Sequence, residues 1–188
     1  MKRWLLFWTL SNLAWADPTL IKIVTSNTSP GIKADSFAAR PRTVYRLGSS
    51  LARVEEVDDP VDKVHMVVIR AHSQGWTLDL RNKVGRHSQG LPDKVRVPLL
   101  PLGGLADLEF GHELEFMQKN KIEPKDGAYT FSFEDYVIKL SVSEGKPQQL
   151  EASQKGKLLM RLHYDEYLTG LPEDPDLFVV PKDIKLTD

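Results

Sequence analysis

A two-residue alternation of apolar and polar side chains, in short runs separated by turn residues, restricts this chain more than any other feature. Trp76, Leu78 and Leu80 alternate with Thr77, Asp79 and Arg81, and Tyr129, Phe131 and Phe133 alternate with Ala128, Thr130 and Ser132. Ile138, Leu140 and Val142 alternate with Lys139, Ser141 and Ser143; Leu158, Met160, Leu162 and Tyr164 face away from Arg161 and His163. Successive side chains of a strand point to opposite faces, so these runs predict a sheet dry on one face and wet on the other. Strands are expected over 20–26, 42–47, 51–58, 64–71, 76–81, 86–89, 129–133, 136–143, 149–154 and 157–164, with a short helical turn within Ala34–Arg40. The turns between them include Gly48-Ser49, His72-Ser73-Gln74-Gly75, Asn82–Gly85 and Lys155-Gly156. Regular spacing of this kind predicts one antiparallel meander.

The dry face needs a cover. From Leu105 to Lys119, Ala106, Phe110, Leu114 and Met117 recur at helical spacing while Glu109, Glu113 and Lys119 fall elsewhere, which predicts a helix with a break or bend at Gly111. The preceding Pro98-Leu99-Leu100-Pro101-Leu102-Gly103-Gly104 is an apolar loop that cannot pair as a central strand. Loops usually face water, so this one packs over the sheet or gates its opening.

The N-terminus places the chain. Lys2 and Arg3 precede an apolar run from Trp4 to Leu13, and Ala14-Trp15-Ala16 has the small-x-small form of a signal-peptidase site. Residues 1–16 therefore read as a cleaved secretory signal, residues 17–188 as one exported, periplasmic domain beginning at Asp17. The run is too short to span a bilayer, and no other stretch is long or apolar enough. Without Lys2 and Arg3 the chain carries 23 basic and 26 acidic residues, a net charge of −3, and so lacks the basic footprint of a nucleic-acid binder. It has no cysteine, which excludes disulfides, thiolate metal sites, a catalytic cysteine and a lipidated cysteine.

No catalytic pattern emerges. His65, His72, His87, His112 and His163 are scattered, without a metal-binding pair. His112-Glu113-Leu114-Glu115 point in different directions on a helix and read as a solvated face. His72-Ser73-Gln74-Gly75 recurs as His87-Ser88-Gln89-Gly90, which reads as two successive turns of similar chemistry. Arg53, Glu55 and Glu56 read as cross-strand pairs on the wet face. Asp58-Asp59-Pro60 and Glu173-Asp174-Pro175 read as turns. No metal, cofactor or catalytic residue is expected.

The C-terminal third carries a resemblance. Gly145-Lys146-Pro147, Lys155-Gly156-Lys157, Leu162-His163-Tyr164-Asp165-Glu166-Tyr167 and Asp176-Leu177-Phe178-Val179-Val180-Pro181-Lys182-Asp183-Ile184-Lys185 resemble the ending of the LolA-like periplasmic superfamily, which embraces lipoprotein carriers, acceptors and sensors of the LolA, LolB and RseB types. Thr43-Val44-Tyr45-Arg46, Arg53-Val54-Glu55-Glu56 and Gly75-Trp76-Thr77-Leu78-Asp79-Leu80 are similar to its early strands. The resemblance implies a strongly curved antiparallel sheet, an unclosed half-barrel, with helix and loop over its concave face. It implies an apolar cavity for the acyl chain of a lipid or lipoprotein. Here Asp17 leads almost directly into Leu20–Ser26, without the helix that opens the carriers, which implies a simpler lid.

The expected cavity and lid residues are Trp76, Leu78, Leu80, Leu99, Leu100, Phe110, Leu114, Met117, Tyr129, Phe131, Phe133, Ile138, Leu140, Met160 and Leu162. Three function classes remain open at this point. They are a non-enzymatic lipid or lipoprotein carrier or sensor, with a membrane-associated protein as a further partner; an interaction module with a filled core; and a hydrolase assembled from loops, whose test residues are His112 and His163.

Overall fold

The computed structural model describes residues 19–100 and 102–187, so the secretory signal expected over residues 1–16 and the start expected at Asp17 lie outside the described residues, as does Pro101. The strands are β1 (Leu20–Asn27), β2 (Arg42–Leu47), β3 (Leu51–Glu56), β4 (Met66–Ala71), β5 (Gln74–Asp79) and β6 (Val84–Ser88), then β7 (Ala128–Phe133), β8 (Tyr136–Ser143), β9 (Lys146–Gln154), β10 (Lys157–Leu171) and β11 (Lys185–Thr187). They form one curved, unclosed sheet of 11 strands in the order β11-β6-β5-β4-β3-β2-β1-β10-β9-β8-β7. The single meander expected from sequence is two, β1–β6 and β7–β10, joined where β1 pairs antiparallel with β10. Strand β11 is parallel to β6 and lies outside both.

Strand β10 runs on to Leu171 instead of ending at Tyr164, because its first half pairs with β9 and its second half with β1. Its register against β1 shifts between Val24 and Thr25. An extra residue in one strand offsets the two-residue alternation, so Tyr164 and Tyr167, three apart, reach the same face.

The sheet does not keep one dry face. Ile23 and Val44 belong to a core with Ile138, Leu140, Leu150, Ala152 and Tyr164, covered by residues 97–100 and 102–117 on the concave side. Leu20 and Leu47, on the other side of β1 and β2, belong to a second core with Val67, Ile69, Leu78 and Phe178. That core is covered by the C-terminal segment, a helical turn at Pro175–Phe178 followed by Val180 and Ile184. The buried face therefore changes sides between the two halves of the sheet. Within most strands the alternation reads correctly; in β10 a register shift between Leu158 and Met160 takes Leu158, expected on one side with Met160, Leu162 and Tyr164, off that side. Across strands nothing in the pattern says which face of one matches which face of the next.

Arg53 is correspondingly not on a wet face: its guanidinium sits beneath this segment, donating to the Leu177 carbonyl and pairing with Glu55. Replacing half-buried Leu177 by alanine should lower stability by about 1–2 kcal/mol. A melt unchanged by that substitution would show that the segment does not hold the second core.

The expected helix over 105–119 is reduced to α1 (Glu113–Lys119), preceded by a helical turn at Gly103–Leu105. Gly111 has φ +84°, a left-handed conformation that no helix can pass through, so the break foreseen at this glycine is complete. No helix among the described residues is long and apolar enough to cross a membrane.

Two turn readings change. His72, not Gly75, takes the positive φ in the β4–β5 hairpin (52°). Gly75 lies inside β5, where an added Cβ would come within 2.8 Å of Leu91 and 2.9 Å of Arg70. The second copy of this motif is not a similar turn: His87 and Ser88 end β6, and the His87 ring stacks on Trp76 at 5.1 Å.

Candidate functional site

The concave wall is built from the inward sides of β7–β10 and β1–β3. Ile138, Leu140 and Leu150 are fully buried there, and Tyr129, Phe131, Phe133, Met160 and Leu162 are partly buried around them. Over this wall lies a small hairpin. The Leu99 amide donates to the Leu108 carbonyl, the Phe110 amide donates to the Val97 carbonyl, and Pro98 bridges Glu109. Leu99, Leu100, Leu105, Leu108, Phe110, Phe116 and Met117 point down and are buried. Phe116 meets Phe131 edge-on at 5.3 Å, and the Phe133 ring lies over Gly104, where an added Cβ would collide with it. Leu114, expected to be inward, is only partly buried; its neighbours Glu113 and Phe116 take the inward positions.

Twelve of the expected cavity and lid residues thus come together on the concave side: Leu99, Leu100, Phe110, Leu114, Met117, Tyr129, Phe131, Phe133, Ile138, Leu140, Met160 and Leu162. Trp76, Leu78 and Leu80 do not. They pack in the second core on the opposite face, under the C-terminal segment.

Two buried polar groups tie the cover to the sheet, and sequence reasoning passed over both. The first is Arg46 of β2, whose Nη1 lies 2.9 Å from the Glu109 carboxylate and donates to the Phe110 carbonyl at 2.9 Å. Its Nη2 donates to the Val95 carbonyl at 3.3 Å, and Glu109 also accepts the Val97 amide at 2.8 Å. One guanidinium therefore holds both strands of the cover hairpin. The second is Glu113, which accepts the hydroxyls of Tyr164 at 3.1 Å and Tyr167 at 3.2 Å.

Glu109 and Glu113, read from sequence as lying off the apolar stripe, are buried, and Glu113 is 0% exposed. Burial raises its carboxyl to about 7, opposed by the backbone amides of Glu113 and Gly111 and by the two tyrosine hydroxyls. Both tyrosines are pushed above their ordinary range, by burial first and by the Glu113 charge second. The solvated reading does hold for the neighbours: His112 and Glu115 are paired at 2.7 Å with substantial exposure, and the His112 hydrogen bond lowers the Glu115 carboxyl. A signal for the missed charges was present. Arg46 sits two residues from Val44, and Glu113 sits three from both Phe110 and Phe116, so each occupies an apolar-face position.

Most of the concave side is packed with the cover's own side chains. An open cleft of about 220 Å³ remains at one end, between the cover hairpin, β10 and the loop that joins β1 to β2. Leu99, Phe110, Met160 and Leu162 form its apolar wall; Phe37, Arg40, Arg42 and Glu56 stand at its rim. The hydrolase test residues do not converge: His112 precedes α1 on the concave side, while His163 alternates with inward Tyr164 and is half exposed on the other. No cluster of three or more metal-ligating side chains occurs among the described residues.

No family model matches the chain, and no curated protein matches it. Among solved structures, the crystal structure of an uncharacterized conserved protein from Thermus thermophilus is similar, with a TM-score of 0.50 and 15% identity over 92% of this chain and 91% of that one. That likeness concerns the fold alone.

Proposed function

We propose that this protein is a non-enzymatic, exported binding protein that takes an apolar chain, such as the acyl chain of a lipid or lipoprotein, into the cleft beside the cover hairpin. The observation that carries the reading is the meeting of Leu99, Phe110, Met160 and Leu162, from two separate parts of the chain, in one open apolar wall. Burying each methylene against such a wall contributes about 0.8 kcal/mol, so binding requires no catalytic group. At about 220 Å³ the cleft is smaller than the several hundred Å³ usual for a drug-sized ligand. It suits one chain, and a longer or branched ligand must displace the cover. The carrier or sensor role and periplasmic placement rest on the N-terminal segment and on the resemblance in the C-terminal third.

Mass spectrometry of protein released gently from the periplasm should reveal co-purified lipid, and fatty acids should displace an environment-sensitive fluorophore. Met160→Glu places a charge in the cleft wall and should weaken that displacement about tenfold or more, with a loss of stability of about 1–2 kcal/mol that leaves the protein folded, because Met160 is half-buried against the core. Absence of both lipid and displacement would sink the reading.

A second reading, an interaction module with a filled core, draws support from the complete burial of Leu105, Leu108 and Met117 against the concave wall. A partner retained on pull-down from periplasm, without bound lipid, would favour it.

A further inference from the structure

The charges at the cleft rim are unequal. Arg42 pairs with Glu56 across β2 and β3, so these two cancel. Arg40, two residues earlier, has no carboxylate within ion-pair distance among the described residues. Its Nη1 has a long contact, 3.4 Å, to the Asp58 carbonyl, and its guanidinium stands 5.5 Å from the centre of the Phe37 ring. The carboxylate of Asp58, whose carbonyl makes that contact, is engaged by Arg81. No other charged residue lines the cleft. A cleft with one apolar wall thus carries one guanidinium without a carboxylate partner, set against an aromatic face and partly withdrawn from water.

We propose that the cleft selects single-chain amphiphiles with an anionic oxygen headgroup, a carboxylate or a phosphate, and that Arg40 is the residue that binds this headgroup. A guanidinium presents two parallel N–H donors to such a group and stays charged at every physiological pH. An ammonium or neutral headgroup would leave the positive rim unanswered. The inference rests on the apolar cleft of the preceding section and adds to it the chemistry of the ligand's polar end.

The test measures displacement of a cleft-bound fluorophore by dodecanoate, dodecyl phosphate and dodecanol, which share one chain length, at a pH of about 8, where the carboxylate is ionised. For the unaltered protein the better of the two anions should bind about tenfold more tightly than dodecanol, the size expected of one partly exposed charge-assisted contact. The order of the two anions identifies the headgroup. Arg40→Gln should bring the two anions down to about the affinity of dodecanol for the same variant, with the melting temperature unchanged, and Arg40→Lys should keep part of the preference. Equal binding of all three would overturn the headgroup assignment and leave the apolar cleft standing. A preference that survives Arg40→Gln would overturn the role of this residue. Failure of all three to bind would remove both this inference and the reading beneath it.

Discussion

Replacing Arg46 by methionine should destabilise the protein by about 3–5 kcal/mol, the usual consequence of leaving one member of a buried ion pair without its partner. Methionine roughly preserves the volume of the stem, so the loss is electrostatic and not a cavity effect. Arg46 and Glu109 have side-chain exposures of 3% and 8%, and removal of the guanidinium leaves Glu109 with only the Val97 amide. The carbonyls of Val95 and Phe110 lose a donor at the same time. Denaturant titration measures the loss, and Arg46→Met combined with Glu109→Gln should recover much of it, since the amide still accepts from Val97 without a buried charge. Hydrogen exchange gives the local reading. The amides of Leu99 and Phe110, which close the cover hairpin, should lose protection before those of β8 and β9. A cost below about 1 kcal/mol, within the range of an exposed pair, would show that the guanidinium does not hold the cover down.

What the sequence disclosed and what it hid follow from the same physics. Each strand's alternation is local, so Ile138 and Leu140 were legible as inward from their neighbours alone, and both are fully buried. Gly111 was legible as a helix breaker for the same reason. The pairing of β1 with β10 was not, because it joins residues more than a hundred positions apart and no local pattern encodes the partner. Trp76, Leu78 and Leu80 went to the wrong face through that gap. Their alternation is correct, yet the cover they receive is the distant segment around Phe178. Arg46 and Glu113 were hidden differently. A charged residue at an apolar position reads as an interruption of the pattern until its partners are known, and those partners, Glu109 for one and Tyr164 with Tyr167 for the other, come from other elements. Polar groups buried with partners are costly to assemble and specific once made, so an inward charge in an otherwise apolar stripe is itself a pointer to a polar network.

Glu113 makes the stability depend on pH, and the direction is unusual for a carboxylate. Its folded value is raised from 4.5 to about 7, so between these the folded chain retains a proton that the unfolded chain has already released. Stability therefore falls as pH rises through this window and levels off above it. The drop expected from this one residue is about 3 kcal/mol, since each tenfold tightening of proton binding on folding corresponds to about 1.4 kcal/mol. Glu113→Gln keeps a carbonyl oxygen for a tyrosine hydroxyl but cannot ionise. The variant should match the unaltered protein near the lower end of the window and exceed it by about 3 kcal/mol above the upper end. Taking the difference between the two proteins at each pH removes the histidines and every other group that titrates in the same range. Stability measured by denaturant titration at intervals across the window decides the matter. Parallel curves for the two proteins would mean that Glu113 is ionised in the folded state throughout. Its two tyrosine donors would then outweigh its burial, and the cover would be fastened by a buried carboxylate and not by a protonated one.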